Sequence, residues 1–486
     1  MNRKMLFAFV LSCLLFPGLF AQSFNLTVEN GYGSGMYNAG DTVHIWSQEW
    51  SAAGTFSHWS GDTMFLRMPL EWHTQVVMPA RAVTVKANTQ LLPTGTANYF
   101  SFEQIRGKHI LKPVYYYFPA NGDPDAVVWL WHGTGGSAQN WIWRNFEMRQ
   151  FCNYLVANNM AIIVTESDES TLNTDLDGDG NRRYNYTADT INNWDAANVR
   201  AIRDTFINRG IMSPATPQAA VGFSAGGTFA ITIATLLNWK AAINHNSAGT
   251  GYIQFARVPV LFSMSQRDAH PDVGAAGNQE AYDNYLYLTD QDQCTGYDML
   301  RPSPTYPERF QRIPSVTKAQ SIGINSELLA NNCLDNEGYL SKSPNQIEAL
   351  VIANPQNWPT LLTLSDTLRE YVKDELAVMW TAHAFHHDFM ARDLAFIKAL
   401  CANTTVAVET PVEKEALTIF PNPAGDKIYM SQSAGMVRII DLQGRVLVEK
   451  RLNNGTELDV AHLSRGMYIL EVMNKGKRTA IKWVKQ

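Results

Sequence analysis

What the chain lacks narrows its reading first. Only 17% of its 486 residues are charged, 39 basic against 45 acidic, for a formal charge of −6. No long basic run is present to engage a phosphate backbone, so nucleic acid is not expected as a partner. Beyond the N-terminus no apolar run approaches the roughly 20 residues of a spanning helix, so no stable membrane span is expected. Cysteine is scarce, five in all, and none forms a CxxC pair. The common zinc motifs are thereby removed, and no metal is required by the cysteine pattern.

The N-terminus carries its own signal. Arg3 and Lys4 precede the apolar stretch Met5 to Leu15, and Leu19-Phe20-Ala21 offers cleavage chemistry before Gln22. Residues 1–21 read as a secretory signal peptide; acylation of Cys13 is the weaker alternative because apolar residues continue to Phe20. Export leaves Cys152, Cys294, Cys333 and Cys401 in an oxidising compartment, enough for two disulfides with three arithmetical pairings.

From Phe24 to Asn88 short alternating runs such as Thr42-Val43-His44-Ile45-Trp46 and Ala82 to Ala87 predict a small β-domain, 24–88. The order Gly33 to Val43, then His58-Trp59-Ser60-Gly61-Asp62, then Val77 to Val85 resembles one bacterial cell-surface β-repeat of the internalin type. That resemblance implies a module that spaces or presents a partner domain, with Trp46, Trp50, Trp59 and Trp72 as core residues and no chemistry of its own. A Pro- and Thr-containing linker, 91–98, leads to a domain spanning 99–401. There, strands at Val114 to Phe118, Val127 to Trp131, Ala161 to Thr165, Ala219 to Gly222, Ala241 to His245 and Val258 to Met264 alternate with helical patterns, including Ala188 to Phe206 and Gly226 to Leu237. This alternation predicts an α/β fold with a largely parallel sheet.

Residues 402–416 have linker composition, and a last β-domain occupies 417–486. Its segments Leu417 to Pro423, Val437 to Arg445 and Leu463 to Leu470 resemble the C-terminal sorting domain of type IX secretion. The resemblance implies the type IX machinery as a partner, with the cargo released or held at the cell surface.

A bare GxSxG is weak in a chain with 32 glycines, but Gly222-Phe223-Ser224-Ala225-Gly226 sits between the apolar strand Ala219 to Val221 and a helix opening at Gly226. That context makes Ser224 a nucleophile on a strand-to-helix elbow. His132-Gly133-Thr134-Gly135-Gly136 follows the strand Val127 to Trp131, so the backbone N–H groups of Thr134 and Ala225 form the expected oxyanion hole. Asp268, just beyond Val258 to Met264, is the expected acid, with Asp272 as fallback. The base must come from His383, His386 or His387. A zinc-like reading of His383 and His387, one helical turn apart, lacks a third ligand.

The Ser…Asp…His order, the elbow and the HGTGG loop together resemble the α/β-hydrolase superfamily over residues 99 to 401. His383-Ala384-Phe385 resembles the pattern of secreted feruloyl esterases and polyester depolymerases, which favours His383 as base. The resemblance implies an α/β-hydrolase sheet flanked by helices, with a lid insertion at about 278–373, and a secreted serine esterase acting on acyl esters of plant polysaccharide. Peptidase, lipase and polyester depolymerase are the enzyme alternatives, and a surface carbohydrate-binding protein with an inactive hydrolase domain is the alternative of another class. In this fold the helices holding Cys152 and Cys401 share a face, which implies disulfides Cys152–Cys401 and Cys294–Cys333. No organic cofactor is expected. Asp175, Asp177, Asp179 and Asn181 resemble half of a Ca2+ loop, although Tyr186 stands where the bidentate glutamate of an EF-hand would be; a polar turn is the competing reading.

Overall fold

The computed structural model describes residues 22–48, 54–249, 253–399, 419–420, 424–441, 445–474 and 477–485. The chain divides into two compact units after Val406. The first unit begins with strands β1 (Ser23–Glu29), β2 (Gly31–Tyr32), β3 (Gly35–Asn38), β4 (Thr42–Ser47), β5 (Gly54–Gly61), β6 (His73–Val77) and β7 (Val83–Leu91). They form a four-stranded sheet in the order β3-β1-β7-β5 and a three-stranded sheet β2-β4-β6. Alternation of buried and exposed residues along β7, with Val83, Val85 and Ala87 inward, produces one apolar face.

That face does not close on itself. One continuous apolar core joins Leu26, Ile45 and Trp72 of this module to Phe151, Leu155, Met390 and Ile397 further along the chain. The module expected to act as a spacer is therefore built into the unit that follows it.

The main sheet comprises β8 (Ser101–Arg106), β9 (Leu111–Tyr117), β10 (Ala126–Trp131), β11 (Met160–Thr165), β12 (Gln218–Phe223), β13 (Ala241–His245), β14 (Val260–Ser265) and β15 (Thr295–Leu300). Its order is β15-β14-β13-β12-β10-β11-β9-β8. The strands from β15 to β11 run parallel, whereas β9 is antiparallel to both β11 and β8. Ala-Val-Val-Trp-Leu-Trp of β10 is buried throughout, as a parallel strand covered on both faces requires. The chain order reverses around β10, which opens a crevice at the strands' C-terminal ends.

The covering helices are α1 (Phe146–Ala157), α2 (Asp168–Leu172), α3 (Trp194–Asn208), α4 (Ala225–Leu237), α5 (Gly274–Asp290), α6 (Lys318–Ala330), α7 (Pro344–Ala353), α8 (Asp366–Trp380) and α9 (Met390–Ala399). The helix expected from Ala188 starts at Trp194 because the Asn193 side chain accepts from Ala196 N–H and caps it there. The segment expected as a lid begins within the core: α5 packs on the sheet and β15 pairs with β14 in parallel. The remainder, with α6 and α7, buries Phe310, Ile324 and Trp358 against α8 and Phe146 of α1, and meets the N-terminal module through Tyr306, stacked on Tyr32 at 4.5 Å.

A buried ionic cluster joins these parts. Arg312 bonds Glu147 at 3.0 Å and Glu375 at 2.5 Å, and Arg309 bonds Glu375 at 2.5 Å, with all four side chains at most 1% exposed. Burial pushes both carboxyls upward, and the arginines pull them back. Arg312→Met would remove the cation shared by Glu147 and Glu375, leaving Glu375 with Arg309 and Glu147 with His387 alone, at a cost of about 3–5 kcal/mol. The expected readout is a lower urea midpoint at unchanged m; an unaltered midpoint would show that the cluster contributes no net stability.

The expected disulfides are not formed. Cys152 and Cys333 are buried free thiols, and Cys294 is disulfide-bonded, so its partner is neither of them. Cys152 packs inward on α1, its thiol near the Trp141 carbonyl, and burial raises its pKa to about 12. Cys401 lies outside the described residues, as do the signal segment and Trp50.

In the second unit, β16 (Ile419–Phe420), β17 (Lys427–Ile440), β18 (Val446–Asp459), β19 (Gly466–Asn474) and β20 (Lys477–Lys485) form an antiparallel sheet, with β18 paired to β17. Its core contains Ile439, Leu470 and Trp483.

Candidate active site

Strands β10 and β12 are neighbours, so the loop after one and the turn after the other emerge side by side. Ser224 occupies that turn with φ 54° and ψ −125°, a conformation costly for a non-glycine residue. Its N–H donates to the His245 carbonyl at 2.8 Å, which holds the strained corner. Gly222 is required by contact: a Cβ there would lie 1.9 Å from the Gly226 carbonyl oxygen. Helix α4 starts at Ala225, placing a positive dipole end beside the serine.

Ser224 Oγ lies 2.9 Å from His383 Nε2, and His383 Nδ1 lies 2.6 Å from Asp268 Oδ2. Asp268 follows the end of β14, and its side chain is fully buried; its Oδ1 accepts from the His270 N–H at 2.8 Å. Asp272 is 83% exposed and faces His270. The imidazole of His270 stacks on that of His383 at 4.4 Å, and Phe223 lies 5.0 Å away.

The other two histidines sit elsewhere. His386 is buried, with Nε2 3.3 Å from Ser263 Oγ, and burial lowers its pKa to about 3. His387 lies between Glu147 and Arg312, at 2.6 Å from each, and burial followed by Arg312 holds its pKa well below the usual imidazole range. Because the guanidinium only donates, His387 Nε2 accepts from Arg312 and Nδ1–H donates to Glu147. Residues 382–387 are not helical, so His383 and His387 do not share a helix face.

The HGTGG loop lies against Ser224: a Cβ on Gly133 would come within 3.2 Å of Ser224 Cβ. His132, which sequence reasoning left without a role, fixes this loop. Its Nδ1 is 2.7 Å from the Gly133 carbonyl, and its Nε2 accepts from Ser167 N–H at 3.2 Å. Burial lowers its pKa to about 4, so the ring stays neutral and serves as a fixed bracket. The Gly135 N–H is committed to the Arg182 carbonyl and the Gly136 N–H to Gly133, while the Ser224 N–H goes to His245. The N–H groups of Thr134 and Ala225 are the ones sequence position assigns to an oxyanion.

Glu169, Asp175 and Asp177 bring carboxylate oxygens within 4.8 Å of one another, an all-oxygen set of the type that could hold Ca2+. Asp179 instead pairs with Arg183 and accepts from the Asn181 N–H at 2.7 Å. The loop's own backbone already bonds to these carboxylates: Asp175 accepts from Gly178 and Gly180, and Glu169 from Leu176 and Arg183. A separate cavity of about 680 Å³, lined by residues including Phe102, Tyr115, Trp143, Arg149 and Tyr371, contains no member of the Ser224 cluster.

With this geometry stand the similarities to known proteins. Residues 418–486 match the family model of the secretion system C-terminal sorting domain. Such a tail indicates secretion and attachment at the cell surface through the type IX machinery. Among solved structures, dienelactone hydrolase from Anabaena variabilis is 12% identical over 48% of this chain and 97% of its own, with a TM-score of 0.33. A cold-adapted esterase from an Arctic intertidal metagenomic library is 14% identical over 41% of this chain and 82% of its own, with a TM-score of 0.29. Pyrococcus horikoshii acylaminoacyl peptidase is 12% identical over 56% of this chain and 50% of its own, with a TM-score of 0.31. No curated protein matches the sequence. Among the described residues no helix is long and apolar enough to cross a membrane.

Proposed function

We propose that this chain is an exported serine hydrolase that cleaves carboxylic esters through an acyl-enzyme on Ser224. The observation that carries the reading is the unbroken line from Ser224 Oγ through His383 to Asp268 at 2.9 and 2.6 Å, on a turn with positive φ at the serine. His383 Nε2 takes the Ser224 proton as Oγ adds to the ester carbonyl. The Thr134 and Ala225 N–H groups receive the oxyanion, and Asp268 stabilises the imidazolium. His383 then returns the proton to the leaving alcohol, and water releases the acid by the same steps in reverse.

As substrate we propose acyl esters of plant polysaccharide, feruloyl or acetyl. The export tail and the His383-Ala384-Phe385 resemblance support a polymeric target. The test is release of p-nitrophenol from short and long acyl esters beside ferulate from a feruloylated sugar, with fluorophosphonate labelling of the same samples. Preference for acetyl or feruloyl esters is expected; preference for long chains makes it a lipase. Labelling without ester turnover favours a peptidase, and absence of both leaves an inactive binding protein.

A further inference from the structure

We propose that Glu71-Trp72-His73 of the N-terminal β-module is a positioning element for His383, so that the module is a working part of the active site. The inference rests on the Ser224–His383–Asp268 reading above. It starts from the segment that bears the base. Thr381 to Phe389 joins α8 to α9 without regular structure, and a base on such a segment is held by side chains from elsewhere.

The module supplies several of those holds. Trp72 is fully buried and lies flat on the His387 ring, 5.4 Å between centroids and 7° between planes, while the Arg312 guanidinium sits 3.9 Å from the same Trp72 ring. His387 is thus gripped in its plane by Glu147 and Arg312 and on its face by Trp72, four residues from the base. His73 Nδ1 is 3.9 Å from Asp388. The Glu71 carboxylate accepts from Ala391 N–H at 3.1 Å and Arg392 N–H at 3.0 Å, satisfying donors in the first turn of α9.

The same helix reaches the nucleophile. Asp393 of α9 is 3.0 Å from His245 Nε2, and the His245 carbonyl is the acceptor of the Ser224 N–H. The inner end of the loop is secured independently, by Asn246 Nδ2 donating to the Ala384 carbonyl at 2.6 Å. The module's grip therefore sets the far end, His387 to Arg392, and with it the direction from which His383 approaches Ser224. A misplacement of about 1 Å in such a group costs on the order of 10²-fold in rate.

The experiment is a double-mutant cycle on kcat and KM for a short p-nitrophenyl ester, with thermal unfolding of every variant. Trp72→Ala is expected to lower kcat about 10- to 100-fold with KM within twofold, and Trp72→Phe, which keeps a flat ring on His387, to restore most of it. In the His383→Ala background the same Trp72→Ala change should cost less than twofold, because the group it acts through is gone. Unchanged kcat in Trp72→Ala, or an equal loss in both backgrounds, overturns the proposal. If Trp72→Ala does not fold, Glu71→Gln is read on the same cycle, with a loss confined to the His383-containing background expected. The two readings fail separately. A wild type that neither turns over esters nor takes a fluorophosphonate sinks the Ser224 reading and this inference together, whereas a labelled wild type with equal losses in the cycle sinks this inference alone.

Discussion

Ser224→Ala is expected to lower kcat for ester hydrolysis by about 10⁶-fold, to the level that oxyanion donors and binding alone sustain. The fold should tolerate the change. The strain at this position is in the backbone, whose N–H bond to the His245 carbonyl survives, and alanine loses only Oγ. Intact-mass analysis after fluorophosphonate treatment should show one adduct on wild type and none on the variant, at equal thermal stability. A variant that keeps more than a thousandth of wild-type turnover would remove Ser224 from the mechanism.

Asp268→Asn is expected to cost about 10⁴-fold in kcat, and the hydrogen bonds of the site supply the reason. Oδ1 of Asp268 already accepts the N–H of His270, so an asparagine there must keep its carbonyl oxygen on that donor. Its amide NH2 is then turned toward His383 Nδ1, where the carboxylate lies at 2.6 Å. Nδ1 becomes an acceptor, the proton moves to Nε2, and Nε2 no longer has a lone pair for the Ser224 proton. Steady-state kinetics on the p-nitrophenyl ester would check this, with Asp272→Asn as the contrast. Asp272 is 83% exposed and faces His270, so its change should leave kcat within twofold.

The sequence made the local features legible. Strand and helix positions around Ser224, the loop after β10 and the placement of Asp268 follow from apolar runs, glycines and short chain distances, where one or two turns of backbone decide the outcome. The tail was legible through its resemblance to a sorting domain, carried by Leu417 to Pro423, Val437 to Arg445 and Leu463 to Leu470.

The choice among His383, His386 and His387 was of another kind. Three imidazoles within five residues differ only in what surrounds them, and Ser224, Ser263, Glu147 and Arg312 come from distant parts of the chain. Cysteine pairing failed for a related reason: which thiols meet depends on how helices seat against the sheet, and Cys152 faces the Trp141 carbonyl within the core. The segment expected as a lid starts in the core instead, because α5 and β15 read as an insertion until β15 pairs with β14.

The N-terminal module marks the boundary between the two kinds of information. Its strand pattern was plain in sequence, but nothing there set apart Glu71, an acid between Leu70 and Trp72. What that acid was for depended on Ala391 and Arg392, some three hundred residues away. By itself the sequence determined the turn that bears Ser224 and the place of Asp268 after β14, because those rest on backbone geometry and neighbours in the chain, and it marked the tail through its resemblance to a sorting domain. Only the tertiary structure decided which histidine meets Ser224, which cysteines stay free and that the module is fused to the loop bearing His383. Those outcomes depend on burial and charge pairing between segments that share no sequence signal.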